Sequence, residues 1–306
     1  MKVSCEVKKH PRNVNPRKNW KINNEFQEEE INYMPSNWSH RYESDKAVEN
    51  FINVLNRLSE DVTKSIPHRV NVKSENFNGK GMDIFSEDLP NDSPIFAFIH
   101  GGFWSEGSKE MYHYLAKLFR SKGVITTLID HNLAPSATLT EIIEESKQTI
   151  LCLVQLAAER KSKGIYLSGH SSGAHLAAMF LSSEWKDNPM IKKYIKGVIL
   201  ISGIYDIYPL LKTSVFEIVH KVTDKANPSK FLKEISSNLI ETNMKILITV
   251  AEHDPPKFIE QSQHFYQELQ EFGVSSDYLQ VQEEDHFSIV EKLHDESFIL
   301  TQNLLV

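Results

Sequence analysis

The sequence predicts an α/β protein built on a mostly parallel eight-stranded sheet flanked by helices. From about residue 70 onward, short runs rich in Ile, Val and Phe alternate with longer segments of helical periodicity. That order builds βα units, because each strand needs a helix to carry the chain back for a parallel neighbour. The second observation is size: 306 residues, 40% of them hydrophobic and 25% charged, suffice for a large core without disulfides or metals.

Residues 1–21 carry Lys2, Lys8, Lys9, Arg12, Arg17, Lys18 and Lys21 against one acid, Glu6, with Pro11 and Pro16 between them. Such a stretch cannot bury enough apolar surface to fold and reads as a flexible basic tail. One domain is expected over 22–306, its first part, 22–67, forming helices outside the sheet. Strands are expected at 68–73, 82–86, 95–100, 124–130, 164–168, 197–202, 245–251 and 277–282. Thr138-Leu139-Thr140-Glu141 fits a capping box, and Leu139, Ile142, Ile143, Ile150, Leu153, Val154 and Ala157 follow at helical spacing to about residue 162. Pro256 at a first helical position opens an amphipathic helix that Gly273 closes. Segments 109–121, 172–184 and 287–304 read as further helices, and 204–243, which breaks the alternation, as an insertion of short helices forming a lid.

A formal charge of −7 repels polyanions, so no nucleic-acid partner is expected. Cys5 and Cys152 are the only cysteines, and Cys152 lies in an apolar run, which reads as a free thiol in a reducing, cytoplasmic setting. No signal core or bilayer-length apolar run is present, so no membrane partner is expected either. The histidines are scattered, without a Cys/His cluster or His-Glu-x-x-His, so no metal or other cofactor is implied. Apolar residues on the outer helices serve equally as core or as a homodimer interface.

Gly169-His170-Ser171-Ser172-Gly173 stands between the strand expected at 164–168 and the helix that begins at Ala174. A serine hydroxyl is a weak nucleophile, and a tight strand-to-helix turn beside a base is how a fold activates one. Ser171 takes that position, with the backbone N–H of Ser172 available to a developing oxyanion and its hydroxyl expected only to pack. Alone, the pentapeptide would equally suit a serine-capped helix start. His100-Gly101-Gly102-Phe103-Trp104 decides otherwise: it follows the strand 95–100, where α/β-hydrolases place the loop that completes an oxyanion hole. The candidates for that hole are Gly101, Gly102, Phe103 and Ser172, with Gly102 or Phe103 favoured as donor and Gly101 as spacer.

In the chain order serine, acid, histidine, both partners must follow residue 171 at strand ends. Ala251-Glu252-His253-Asp254 and Glu283-Glu284-Asp285-His286 supply Asp254 and His286, the latter as general base. Asp206 is the rival acid. Asp285 should point away from the site, His100 should brace the glycine loop, and His170, His175, His264 and His294 read as packing or solvated residues.

With these residues assembled, the sequence resembles the kynurenine formamidase (arylformamidase) family of α/β-hydrolases, related to the hormone-sensitive-lipase-like esterases, over roughly residues 33–290. His100-Gly101-Gly102-Phe103-Trp104 carries most of the likeness, since the related esterases usually continue with a third glycine. Tyr33-Met34-Pro35-Ser36-Asn37-Trp38, Met82-Asp83-Ile84-Phe85, Asp130-His131-Asn132-Leu133-Ala134-Pro135 and Ala251-Glu252-His253-Asp254 support it. The resemblance implies a Ser171–Asp254–His286 triad and hydrolysis of N-formyl-L-kynurenine to kynurenine and formate, a step of tryptophan catabolism on a small-molecule substrate. Phe103 and Trp104 would then meet the aryl ring. Ser172 and Phe103 stand where alanine and tyrosine are frequent, and neither change removes a backbone donor. Two other readings use the same residues: a small-acyl carboxylesterase, and an inactive hydrolase-fold binding protein.

Overall fold

A computed structural model describes residues 24–74, 77–183, 185, 188–220 and 224–304. The basic tail expected at 1–21 lies outside the described residues. The eight strands are β1 (His68–Val72), β2 (Met82–Phe85), β3 (Ile95–Ile99), β4 (Ile125–Ile129), β5 (Ile165–His170), β6 (Ile195–Ile201), β7 (Lys245–His253) and β8 (Ser276–Asp285). They form one sheet in the order β1-β2-β4-β3-β5-β6-β7-β8. Both pairings of β2 are antiparallel and the others parallel, so the sheet is the mostly parallel one expected.

Residue alternation along β3 shows how the sheet is covered. Ile95, Ala97 and Ile99 join the core on one face, while Phe96 and Phe98 join the core on the other, because successive side chains of a strand point to opposite faces. A strand buried on both sides is mostly apolar: β3 is apolar throughout, and the fully buried β4 admits only Thr126 and Thr127 among its apolar residues. The edge strand β1 is almost wholly exposed and mostly polar, His-Arg-Val-Asn-Val, which discourages pairing with another chain.

Twelve α-helices flank this sheet among the described residues: α1 (Asn24–Tyr33), α2 (Ala47–Ser59), α3 (Val62–Ser65), α4 (Leu115–Ser121), α5 (Leu139–Arg160), α6 (Ser172–Leu181), α7 (Pro189–Tyr194), α8 (Phe216–Val219), α9 (Leu232–Thr242), α10 (Pro256–Glu271), α11 (Ser288–Glu291) and α12 (Ile299–Gln302). None is long and apolar enough to cross a membrane. The capping box opens α5 as expected: the Glu141 amide donates to Thr138 Oγ1 while the Glu141 carboxylate accepts from the Thr138 amide.

Three expectations need correction. Segment 109–121 is a 3-10 turn at Lys109–Tyr112 followed by α4, because Lys109 turns inward and is buried against Asn71. Segment 287–304 breaks into α11, a 3-10 turn and α12; the Asp295 side chain accepts from the Ser297 amide and hydroxyl, a local bond that competes with the helix. Helix α7 was not foreseen, although Asn188 caps it and Pro189 takes its first position.

The segment expected as a lid does contain short helices, α8 and α9 with 3-10 turns between. It is rooted in the main core through Ile207, Leu210, Val219, Ala226, Ile235 and Leu239. Asn238 Nδ2 also donates to the Leu181 and Ser183 carbonyls, at 2.8 and 2.9 Å, tying α9 to the end of α6.

Candidate active site

The carboxyl ends of β3, β5, β6, β7 and β8 converge on one rim of the sheet, where parallel α/β folds bind their ligands. Ser171 sits between β5 and α6 with φ 56° and ψ −120°, a left-handed conformation that a non-glycine residue holds at a cost. The turn persists because its surroundings fix it. The Ser171 amide donates to the Ile201 carbonyl at 2.8 Å, and a Cβ on Gly173 would lie only 2.2 Å from the Ile99 carbonyl oxygen. Only glycine lets α6 start this close to β3. Ser171 is 3% exposed, and its hydroxyl forms no hydrogen bond with the described residues.

His286 follows directly on β8 and Asp254 directly on β7. The imidazole Nδ1 donates to Asp254 Oδ1 at 2.5 Å. The second carboxylate oxygen accepts from the Ser202 hydroxyl at 2.6 Å and the Ala251 amide at 2.7 Å. Both Asp254 oxygens are therefore hydrogen-bonded, Oδ1 to the imidazole and Oδ2 to a hydroxyl and an amide. His170 lies beside His286, ring centroids 4.5 Å apart, and its Nε2 donates to the His286 carbonyl at 2.9 Å. Burial, aided by the neighbouring His286, holds the His170 pKa well below the ordinary range, so this ring stays neutral while it holds the His286 backbone. Phe258 abuts the imidazole edge-on at 4.9 Å.

The rivals for these roles are otherwise engaged. Asp206 accepts from Asn227 Nδ2 at 2.8 Å and the Tyr208 amide at 3.1 Å within the inserted segment. Asp285 points away from the His286 ring and is held by Ser39, Arg41 and the Phe287 and Ser288 amides. Burial raises its carboxyl pKa, but those donors outweigh burial and bring it down to about 2. His100 braces the glycine loop, with Nε2 on Asp130 and Nδ1 on the Gly101 carbonyl. His264 is exposed, and His294 Nδ1 donates to the Glu291 carbonyl.

Beyond β3 the loop passes through three consecutive positive-φ residues, Gly102 at 124°, Phe103 at 47° and Trp104 at 59°. A Cβ on Gly102 would meet the Glu106 carbonyl oxygen at 2.2 Å. The amides of Gly102, Phe103 and Ser172 donate to no acceptor among the described residues. The Gly101 amide instead faces the buried Tyr112 hydroxyl, which takes it out of the four donor candidates. The Ser172 hydroxyl does more than pack, accepting from the Trp104 amide at 3.4 Å and so joining elbow to loop.

Phe103 is half-buried and meets Phe258 edge-on at 6.5 Å. Trp104, expected beside it at the substrate, is 0% exposed, and its indole N–H donates to His175 Nδ1 at 3.2 Å. It is a pillar beneath the loop: His175 Nε2 donates in turn to the Ala226 carbonyl at 2.8 Å. Burial lowers the His175 pKa to about 4, which keeps this ring in the one-donor, one-acceptor form both bonds require. The sequence reading missed Ser202, Phe258 and Tyr33, which packs on Phe258 at 6.2 Å.

The BD-FAE family model matches residues 82–269, from β2 into α10. Kynurenine formamidase of Danio rerio is 33% identical over 281 residues, covering 90% of this chain and 94% of that protein. Kynurenine formamidase of Salmo salar is 32% identical over 291 residues, covering 94% and 97%. The structure of esterase Est22 superposes with a TM-score of 0.65 at 16% identity, covering 87% of each chain, a likeness of fold alone. The chain thus has the α/β-hydrolase fold, matches the BD-FAE family over more than half its length and belongs to the kynurenine formamidase family.

Proposed function

We propose that the protein hydrolyses N-formyl-L-kynurenine to L-kynurenine and formate through Ser171, His286 and Asp254. His286 Nε2 takes the Ser171 proton as Oγ attacks the formyl carbon. The oxyanion that forms is received by the unspent amides of Gly102 or Phe103 and of Ser172, the last at the positive end of α6. His286 then delivers the proton to the aryl amine nitrogen as the C–N bond breaks, leaving kynurenine and a formyl ester on Ser171. Water, deprotonated by the same imidazole, cleaves that ester to formate. Asp254 fixes the tautomer and steadies the imidazolium in both halves.

A formyl group carries only hydrogen on its acyl side, so a loop closed tightly around Ser171 suits it. Phe103 and Phe258 offer aromatic surface to the leaving ring. What carries the choice of substrate is the relationship, over nine-tenths of the chain, to proteins named kynurenine formamidase. We place the work in the cytoplasm, in keeping with the free, half-buried Cys152.

The test is turnover by purified protein of N-formyl-L-kynurenine against phenyl acetate. Faster kcat/KM on the formamide supports the reading. Hydrolysis of the ester alone would replace it with a small-acyl carboxylesterase.

A further inference from the structure

We infer that Ser202 is a positioning residue of the reaction, acting through Asp254; this rests on the triad reading above. Ser202 follows β6 directly and is fully buried. Its amide donates to the Thr249 carbonyl of β7 at 2.8 Å, which sets its height against the strand that delivers the acid. Its φ is 49°, in the region that glycine and asparagine hold readily and serine does not. Strain of this kind persists where surrounding structure imposes it, and it collects at functional sites. Here its consequence is visible: the turn aims the hydroxyl at Asp254 Oδ2, 2.6 Å away.

The hydroxyl has a definite effect on the acid. With the Ala251 amide it occupies Oδ2, so the carboxylate cannot rotate to present that oxygen, and Oδ1 alone receives His286. It also draws negative charge toward Oδ2. Without that donor, charge concentrates on Oδ1 and the imidazole proton is held more tightly. The other titratable or charged groups around this pair are His170 on the β5 side, Tyr278 of β8, and the Asp285–Arg41 pair behind His286. None of them donates a hydrogen bond to either Asp254 oxygen, so without Ser202 the Ala251 amide alone holds Oδ2.

Two variants separate hydroxyl from backbone. Ser202→Ala removes the hydroxyl and keeps a Cβ in the strained conformation; Ser202→Gly removes the hydroxyl and relieves the strain. In both, kcat/KM on N-formyl-L-kynurenine should fall about 10- to 100-fold, the value of a hydrogen bond to a charged group. The loss should lie mainly in kcat. In both, the acid limb of the pH–kcat/KM profile should move upward by about 0.5–1 unit. Their melting temperatures should differ, with Gly the higher. An acid limb unmoved in both variants overturns the role of Ser202, whatever the fall in rate. Asp254→Asn, run alongside, distinguishes the two failures: if it stays active, the triad reading fails; if it is inactive while the limb stands still, only the present inference does.

Discussion

Two of the buried histidine–aspartate pairs lie on either side of the glycine loop, and only His286–Asp254 has the surroundings that the proposed proton relay needs. His286 meets Asp254 at 2.5 Å and His100 meets Asp130 at 3.0 Å. The surroundings of the acids differ. Asp254 is otherwise held by a hydroxyl and an amide, whereas Asp130 also faces Lys80 Nζ at 3.5 Å and Lys109 Nζ at 3.6 Å. Burial pushes the Asp130 carboxyl up, but His100, Lys80 and the His131 amide outweigh it and hold it well below the usual carboxylate range. The bases differ too. The second nitrogen of His100 is spent on the Gly101 carbonyl, whereas His286 Nε2 has no partner among the described residues. An acid shared among cations has little charge left to lend to an imidazolium. The proposed relay thus falls on the pair whose acid is otherwise held by neutral donors and whose far nitrogen is unspent among the described residues.

The largest expected effect separates the pairs outright. Ser171→Ala should lower kcat by about 10⁴–10⁶-fold, and adding His286→Ala should cost little more, because the members act as a unit. Asp254→Asn should cost about 10⁴-fold; an equal loss in Asp130→Asn would erase the distinction drawn here. Next comes the loop between the pairs. Gly102→Ala forces a Cβ against Glu106 and should displace the amides, lowering kcat about 10²–10³-fold. Asp130→Asn should act on stability instead. Lys109 keeps Asp83 and Glu110 nearby but loses one of its buried partners, a destabilisation of about 2–3 kcal/mol in denaturant unfolding. The acid limb of its pH–rate profile should match that of the unmodified protein.

The smallest effect concerns the clamp behind His286, where Arg41 bridges Asp285 and Glu291. The Asp285 carboxyl is lowered from 3.8 to about 2 in the folded state. A depressed carboxyl adds stability that is present above its unfolded value and is lost as pH falls through its folded value. The clamp should therefore contribute about 2 kcal/mol at neutral pH, draining away between about pH 4 and pH 2. Arg41→Ala should lower the unfolding free energy near pH 7 by about 2 kcal/mol and have little effect below about pH 2, flattening the acid limb of the stability profile.

The sheet was legible because alternation and apolar runs are local signals: every expected strand is present to within a few residues. The elbow and glycine loop were legible because glycines at fixed positions report close backbone approach. Ser171, Asp254 and His286 could be proposed because each ends a strand in the required order. Ser202 could not, since its bond to Asp254 depends on the register of β6 against β7, which no local pattern reveals. Trp104 was placed at the substrate on its chemistry, but the left-handed turn at Phe103 and Trp104 sends the indole inward to His175. Segment 109–121 read as one helix because the partners that turn Lys109 inward, Asn71, Asp83 and Asp130, come from β1, β2 and the end of β4.

The relay itself is tested most directly by labelling with a fluorophosphonate and mapping the adduct in the unmodified protein and in His286→Ala. A single adduct on Ser171, forming at least about 10³-fold more slowly without the imidazole, is the predicted result. An adduct on another residue, or equal rates in the two proteins, would contradict it.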